Sequence, residues 1–295
     1  MPTVKANQID LYYEDVGKAD APVILLIMGL GTQMIAWPEA FVNGLADAGF
    51  RVISFDNRDI GLSTHLTGAP APNLIWALAA SRFGLPVRVA YSLKDMAADA
   101  VALMDQLKIE KAHVVGASMG GMIAQIMAAT SPERVLTLTS VMSSSGAPGL
   151  PGPSAALRKR MIAKRPAKPT RADAITATVE MLKLMSYPDP ARAPDAFETM
   201  ATRAFDRGFN ALGTKRQLLA IIADGSRAGR LSQIRAPTLV IHGAADPLVP
   251  LACSEDIARR VPGARLEVVK AMGHDLPPSQ LPHVMKLIVD HALAA

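Results

Sequence analysis

Short apolar runs of strand length alternate with longer stretches of helical periodicity along most of the 295 residues. The runs lie at 23–27, 51–55, 112–115, 135–141, 238–241 and 266–269 and are rich in Val, Ile and Leu. Helix-length stretches at 39–47, 93–107, 119–130, 254–260 and 280–292 fall between or after them. A strand covered on both faces needs a nearly continuous apolar run, and parallel strands need a crossover, usually a helix, between them. The alternation therefore predicts an α/β fold with a mostly parallel central sheet of about eight strands and helices on both faces. The opening differs, because the runs at 3–5 and 9–13 are separated only by Asn7 and Gln8 with no helix between them, so an antiparallel hairpin is expected to lead the sheet.

The rhythm breaks between Gly146 and Arg230. This stretch opens Gly-Ala-Pro-Gly-Leu-Pro-Gly-Pro, carries further prolines, and shows helical patterns without a convincing strand. It is read as a helical lid or cap insertion at 146–230 within a core domain made of 1–145 and 231–295. The chain's net charge of +5 could suggest a nucleic-acid ligand, but fifteen Lys and Arg against seven Asp and Glu lie between 146 and 230. The remainder is net acidic, so no nucleic acid is expected as a partner.

Half of the residues are apolar and 19% are charged, a globular composition. No apolar run approaches the roughly 18 residues of a membrane helix, and the first residues lack the apolar core of a signal peptide. A cytoplasmic protein without stable membrane insertion is the expectation. One cysteine, Cys253, excludes an internal disulfide and offers no thiol metal cluster. Neither metal nor cofactor is expected, and the oligomeric state is not encoded in these patterns.

The chemistry concentrates at Gly116-Ala117-Ser118-Met119-Gly120-Gly121, which follows the run at 112–115 and opens the helical stretch at 119–130. A G-x-S-x-G pattern alone is weak; between a strand and a helix it is the setting of a nucleophile elbow, whose sharp turn lifts the serine clear of the sheet. A serine hydroxyl is too weak an acid to attack a carbonyl unaided and needs a base whose tautomer is fixed by a third group. After this elbow the acid precedes the histidine in the chain. Asp246 lies in the loop after the run at 238–241, on the sheet edge where open α/β sheets place ligands. His274 follows the last run and precedes the final helix.

The other candidates have simpler roles. His113 falls inside a strand and is expected in the core; His283 and His291 fall on the closing helix and are expected to be solvated. His65 is expected on the surface, and His242 is a candidate to border the site. Asp275 points away from its neighbour and is expected to cap the next segment. The stretch after 135–141 reads Met142-Ser143-Ser144-Ser145 and holds no alternative carboxylate.

Acyl transfer also needs donors for the developing oxyanion. The Met119 amide follows the nucleophile, and the loop Met28-Gly29-Leu30-Gly31-Thr32 after the third run supplies a second donor, assigned by position to Leu30.

With these motifs, and with Asp56-Asn57-Arg58-Asp59-Ile60-Gly61-Leu62-Ser63 similar to an Asp-x-Arg-Gly-x-Gly-x-Ser block, the chain resembles the α/β-hydrolase superfamily over nearly its whole length. Two departures are visible: Met28-Gly29 stands where His-Gly is common, and Asp59 where glycine is common. The Met-Gly form resembles a branch that includes methylesterases of polyketide-type esters. The resemblance implies a serine hydrolase cleaving carboxylic esters through an acyl-enzyme, with catalytic Ser118, Asp246 and His274, oxyanion amides of Leu30 and Met119, and a small-molecule ester as partner. Ser118 argues against the aspartate-nucleophile dehalogenases and epoxide hydrolases of the fold. Lactone or carbon–carbon bond hydrolysis, or cofactor-free perhydrolysis, would use the same triad, and a non-catalytic ligand receptor is the third reading. In the insertion, Met161, Met181, Met185 and Met200 are candidates for an adaptable apolar wall, with ordinary helix packing as the alternative. The basic run 158–165 is read as a solvated helix face.

Overall fold

A computed structural model describes residues 2–162 and 170–295. Eight strands, β1 (Thr3–Ala6), β2 (Ile9–Val16), β3 (Val23–Ile27), β4 (Arg51–Phe55), β5 (Ala112–Ala117), β6 (Val135–Val141), β7 (Thr238–Gly243) and β8 (Arg265–Val269), form one sheet. Their order is β1-β2-β4-β3-β5-β6-β7-β8. The pairs β1/β2 and β2/β4 are antiparallel and all the others parallel. The leading hairpin is present, and Asn7 and Gln8 hold φ of 46° and 68°. Two consecutive positive φ values give the turn hand that matches twisted strands.

Two strands run further than their apolar patterns suggest. β2 continues to Val16 because Glu14 and Asp15 pair with Ser54 and Ile53 at the sheet's antiparallel edge, where polar side chains can face water. β5 continues to Ala117 because Gly116 and Ala117 pair with Ser140 and Val141. Strand alternation then divides the core. Leu25 and Ile27 of β3 join the apolar cluster on one face, with α3 (Leu93–Gln106) and α4 (Met119–Thr130); Ile24 and Leu26 join the other, with α1 (Glu39–Asp47) and α11 (Leu281–Leu293). The α10 helix (Ala252–Arg260) follows β7.

One helix had no counterpart in the sequence pattern. α2 (Leu74–Arg82) is capped by Asn73, whose Oδ1 accepts the amides of Ile75 at 2.9 Å and Trp76 at 3.2 Å. It buries Ala77 and Ala80 and turns larger apolar residues outward, so its pattern marks no core-facing stripe.

The connection from β6 to β7 holds α5 (Ala155–Ile162), α6 (Arg171–Met185), α7 (Ala196–Gly208), α8 (Ala211–Asp224) and α9 (Ala228–Leu231), with no strand among the described residues. Its C-terminal part is not separate from the main core, since Ala220 and Leu231 belong to the same cluster as β3 and α4. The Arg158 and Lys159 side chains of the basic run are exposed, and Arg160 pairs with Glu180 at 2.9 Å; 163–165 lie outside the described residues. Met161 is exposed, and Met181, Met185 and Met200 are half-buried.

Polar side chains fasten α7 and α8 to the loop after β4. Arg216 forms a bidentate pair with Asp59, both contacts 2.7 Å, with both side chains at or below 4% exposure. Arg207 reaches Asp56 at 2.5 Å, and the Asn210 Nδ2 donates to the Asp59 carbonyl at 3.0 Å. This accounts for the Asp59 departure: at φ 71° the position suits glycine, and here a carboxylate is held instead for the insertion's arginine. Burial opposes the Asp59 charge, but Arg216 and the Leu66 amide outweigh it and hold its pKa below the ordinary carboxylate value.

Arg216→Ala leaves that buried carboxylate without its cation and is expected to cost about 3–5 kcal/mol in urea unfolding. Adding Asp59→Asn in the same chain, which removes the stranded charge, is expected to restore part of the loss. An Arg216→Ala midpoint equal to wild type would contradict this role.

Candidate active site

The sheet delivers Ser118 at the end of β5, where α4 begins. Its backbone holds φ 55° and ψ −118°, outside the regions open to most L residues. Glycines make that turn possible: a Cβ at Gly116 would lie 2.2 Å from the Gly120 carbonyl oxygen, and one at Gly120 would lie 2.0 Å from the Ile27 oxygen. The Ser118 amide donates to the Val141 carbonyl at 2.9 Å, and the Ser143 hydroxyl donates to the Ser118 carbonyl at 2.8 Å.

His274, in the loop after β8, sets Nε2 3.0 Å from the Ser118 Oγ. Its Nδ1 lies 2.7 Å from Asp246 Oδ2. Asp246 follows β7, and its Oδ1 accepts the amides of Leu248 and Val249, both at 2.8 Å, so the carboxylate has one fixed orientation. Three residues 156 and 28 positions apart are thus brought into one hydrogen-bonded line. Such a line can move a proton from a hydroxyl to an imidazole while the carboxylate holds the tautomer.

His242 lies against this line. It is fully buried, with Nε2 2.8 Å from the Val249 carbonyl, Nδ1 2.6 Å from Ser254 Oγ and Nε2 3.6 Å from Asp246 Oδ2. The carbonyl contact requires the proton on Nε2, so Nδ1 accepts from Ser254. Burial lowers its pKa despite the nearby Asp246, and the neutral ring leaves that carboxylate to His274. Elsewhere, His113 is buried against Thr137, His283 is exposed, and His65 is half-buried with its Nε2 3.0 Å from the Gly61 carbonyl. His291, expected to be solvated, is half-buried instead, because α11 packs it against the Pro237 carbonyl.

Asp275 does not cap the following segment. Its Oδ1 accepts the amides of Gly273 and Tyr187, each at 3.1 Å, and its Oδ2 pairs with Arg192. The His274 amide in turn donates to the Met185 carbonyl at 2.8 Å. The segment between α6 and α7 therefore clasps the histidine loop, a connection across some ninety residues that carries no local sequence signal.

The 28–32 loop meets the elbow directly, since a Cβ at Gly29 would lie 3.1 Å from the Ser118 Cβ and 3.6 Å from its Oγ. Asn57 Nδ2 holds the Met28 carbonyl at 2.9 Å, Gln217 Oε1 accepts the Gly31 amide at 2.8 Å, and Asp56 Oδ1 accepts the Met34 amide at 2.9 Å. Among the described residues, the Leu30 and Met119 amides have no hydrogen-bond acceptor. Beside this loop a cavity of about 440 Å³, counting its open mouth, is lined by Gln33, Ile60, Thr178, Phe205, Phe209 and Asn210 among others, and its lining does not include Ser118. Among the described residues, no group of three or more His, Cys, Asp or Glu is placed to hold a metal ion, and no helix is long and apolar enough to cross a membrane.

Residues 22–278 match the alpha/beta hydrolase fold family, and the chain belongs to it. It is 30% identical to the rhodomycin D methylesterase DnrP of Streptomyces peucetius, in an alignment covering 100% of this chain and 99% of that protein. It is 26% identical to 3-oxoadipate enol-lactonase 2 of Acinetobacter baylyi, over 91% of this chain and 88% of that one. A meta-cleavage product hydrolase from Pseudomonas fluorescens superposes with a TM-score of 0.77 at 20% identity, over 100% of this chain and 98% of that one.

The buried histidines set a pH signature. A histidine whose folded pKa is depressed takes up a proton more readily when unfolded, so its contribution is complete above the ordinary value of 6.5 and is lost as pH falls through it. His113, His242 and His291 all shift in this direction, each chiefly through burial. Unfolding midpoints are expected to fall as pH drops from 7 toward 5, with a shallower fall in His242→Gln. An unchanged slope in that variant would contradict the reading.

Proposed function

We propose that this protein is a serine esterase whose catalytic triad is Ser118, His274 and Asp246, and that its substrates are small carboxylic esters, methyl esters foremost. The observation that carries the reading is the continuous pair of contacts, 3.0 Å from Ser118 Oγ to His274 Nε2 and 2.7 Å from His274 Nδ1 to Asp246 Oδ2. The end-to-end likeness to a methylesterase supports ester hydrolysis as the activity.

In this mechanism Ser118 Oγ attacks the ester carbonyl carbon while His274 Nε2 takes the hydroxyl proton. Asp246 keeps the His274 Nδ1–H in place and stabilises the imidazolium. The carbonyl oxygen, now an anion, receives the free N–H groups of Leu30 and Met119. Collapse of the tetrahedral intermediate expels the alcohol, which takes the proton from His274 and leaves an acyl-serine. Water, activated by His274 in the same manner, releases the acid and restores Ser118. The 146–230 stretch serves as the lid over this site: its Met185 and Arg192 contacts steady the histidine loop, and its Gln217 steadies the oxyanion loop.

Lactone and carbon–carbon bond hydrolysis would run on the same groups, and relatives named for each occur. The methyl ester reading is preferred because the methylesterase aligns over 100% of this chain and 99% of its own, whereas the lactonase and the carbon–carbon hydrolase align over 91% of this one.

Hydrolysis of a series of methyl and p-nitrophenyl esters by wild type and Ser118→Ala checks the assignment. Wild type is expected to turn over the esters and the variant to lose several orders of magnitude in kcat with its fold intact. Full activity in Ser118→Ala would refute Ser118 as nucleophile, and wild-type inertness toward every ester beside turnover of a lactone would replace the esterase reading.

A further inference from the structure

The α2 helix is built inside out. Its inner positions are Ala77 and Ala80, while Ile75 is 78% exposed, Trp76 52%, Leu78 56% and, just past its end, Phe83 80% and Leu85 58%. Large apolar side chains placed in water in this number within eleven residues exceed the isolated exposures expected on a protein surface. The helix is nonetheless firmly placed: Asn73 caps it, Ser81 Oγ donates to the Ile222 carbonyl of α8 at 3.1 Å, and Lys215 Nζ donates to the Ala71 carbonyl at 2.8 Å.

The charges around this face have one sign. From residue 60 to residue 94 the chain contains no Asp or Glu, and Arg82, at the end of α2, and Arg88, three residues past Leu85, are exposed. Asp224, on the neighbouring α8, is buried and already held by Arg227 and Arg230. A second copy seated here by twofold symmetry would bring the same two arginines to the same face, with no carboxylate of this stretch to neutralise them. An anionic lipid surface offers what both parts of the face lack: acyl chains for Ile75, Leu78, Phe83 and Leu85, an interfacial layer suited to Trp76, and phosphates for the two guanidinium groups.

We propose that the outer face of α2, with Phe83, Leu85, Arg82 and Arg88, docks this protein reversibly on an anionic lipid surface. No spanning helix is needed, because the apolar side chains reach only the boundary between head groups and acyl chains. None of these residues is a hydrogen-bond partner of Ser118, His274 or Asp246, so docking would bring the protein to membrane-dissolved substrates without entering the chemistry.

Flotation of the full chain with vesicles of phosphatidylcholine, with and without phosphatidylglycerol, tests this. The protein is expected to float with the anionic vesicles and to be released by salt, since the two arginines contribute through screened attraction. Trp76→Ser with Phe83→Ser is expected to abolish flotation, and Arg82→Gln with Arg88→Gln to weaken partitioning about thirtyfold. The protein has two tryptophans, and Trp37 is buried, so a blue shift of emission on vesicle addition reports Trp76. Hydrolysis of a water-soluble ester is expected to be unchanged in both double variants, which verifies their fold. Absence of flotation and of the emission shift, or equal binding to neutral vesicles, would overturn the proposal. So would a concentration-dependent dimer that Trp76→Ser with Phe83→Ser dissolves, because the face would then belong to a second copy.

Discussion

Ser118 holds φ 55° and ψ −118°, and the surrounding structure is arranged so that this residue can stay there. Such a conformation costs on the order of 1–3 kcal/mol and persists only where neighbours over-determine it. The neighbours here are β6, which receives the Ser118 amide at Val141; Ser143, which binds its carbonyl; and β3, whose Ile27 carbonyl lies so close to Gly120 that no side chain fits between them. The three central parallel strands thus fix Ser118 independently of His274 and Asp246. The acid and the histidine then come from the next two strands along the sheet, β7 and β8, whose C-terminal ends lie on the same edge.

The second layer of support comes from far along the chain. Asn57 and Asp56 hold the 28–34 loop from the end of β4, and Gln217 holds it from α8. Arg216, one residue from Gln217, is locked to Asp59, so α8 is anchored by a buried ion pair at the point where it steadies the 28–34 loop. The segment between α6 and α7 does the same for His274 through Met185, Tyr187 and Arg192. The β6–β7 connection is therefore tied to both the 28–34 loop and the His274 loop, and the charge-assisted bonds among these contacts, Arg216–Asp59 and Arg192–Asp275, lose most when one partner is removed.

Much of this was legible in the sequence, and the exceptions have physical reasons. The parallel sheet could be read because its strands are buried on both faces, and β3 at Val23–Ile27 is apolar at every position. Ser118 was legible because the elbow's glycines are required by local sterics, which leave a local pattern. Asp246 and His274 could be placed because each follows a strand. Gln217 and the Asp275–Arg192 pair could not, because a polar residue on an ordinary helix or loop gains its meaning only from what the fold sets beside it. Asp59 was visible as a departure, but its partner Arg216 lies 157 residues away. α2 has no such signature, because its large apolar residues face outward and leave no stripe toward the core.

The central claim is that Ser118 is the nucleophile and that the line through His274 and Asp246 activates it. Treatment with an alkyl fluorophosphonate, followed by peptide mass mapping, tests this most directly: an activated serine displaces fluoride and keeps the phosphonyl group on its oxygen. The account predicts a single adduct on the peptide carrying Ser118, formed in step with loss of activity and much more slowly in His274→Ala. Complete inactivation with the adduct on another residue and Ser118 unmodified would contradict it.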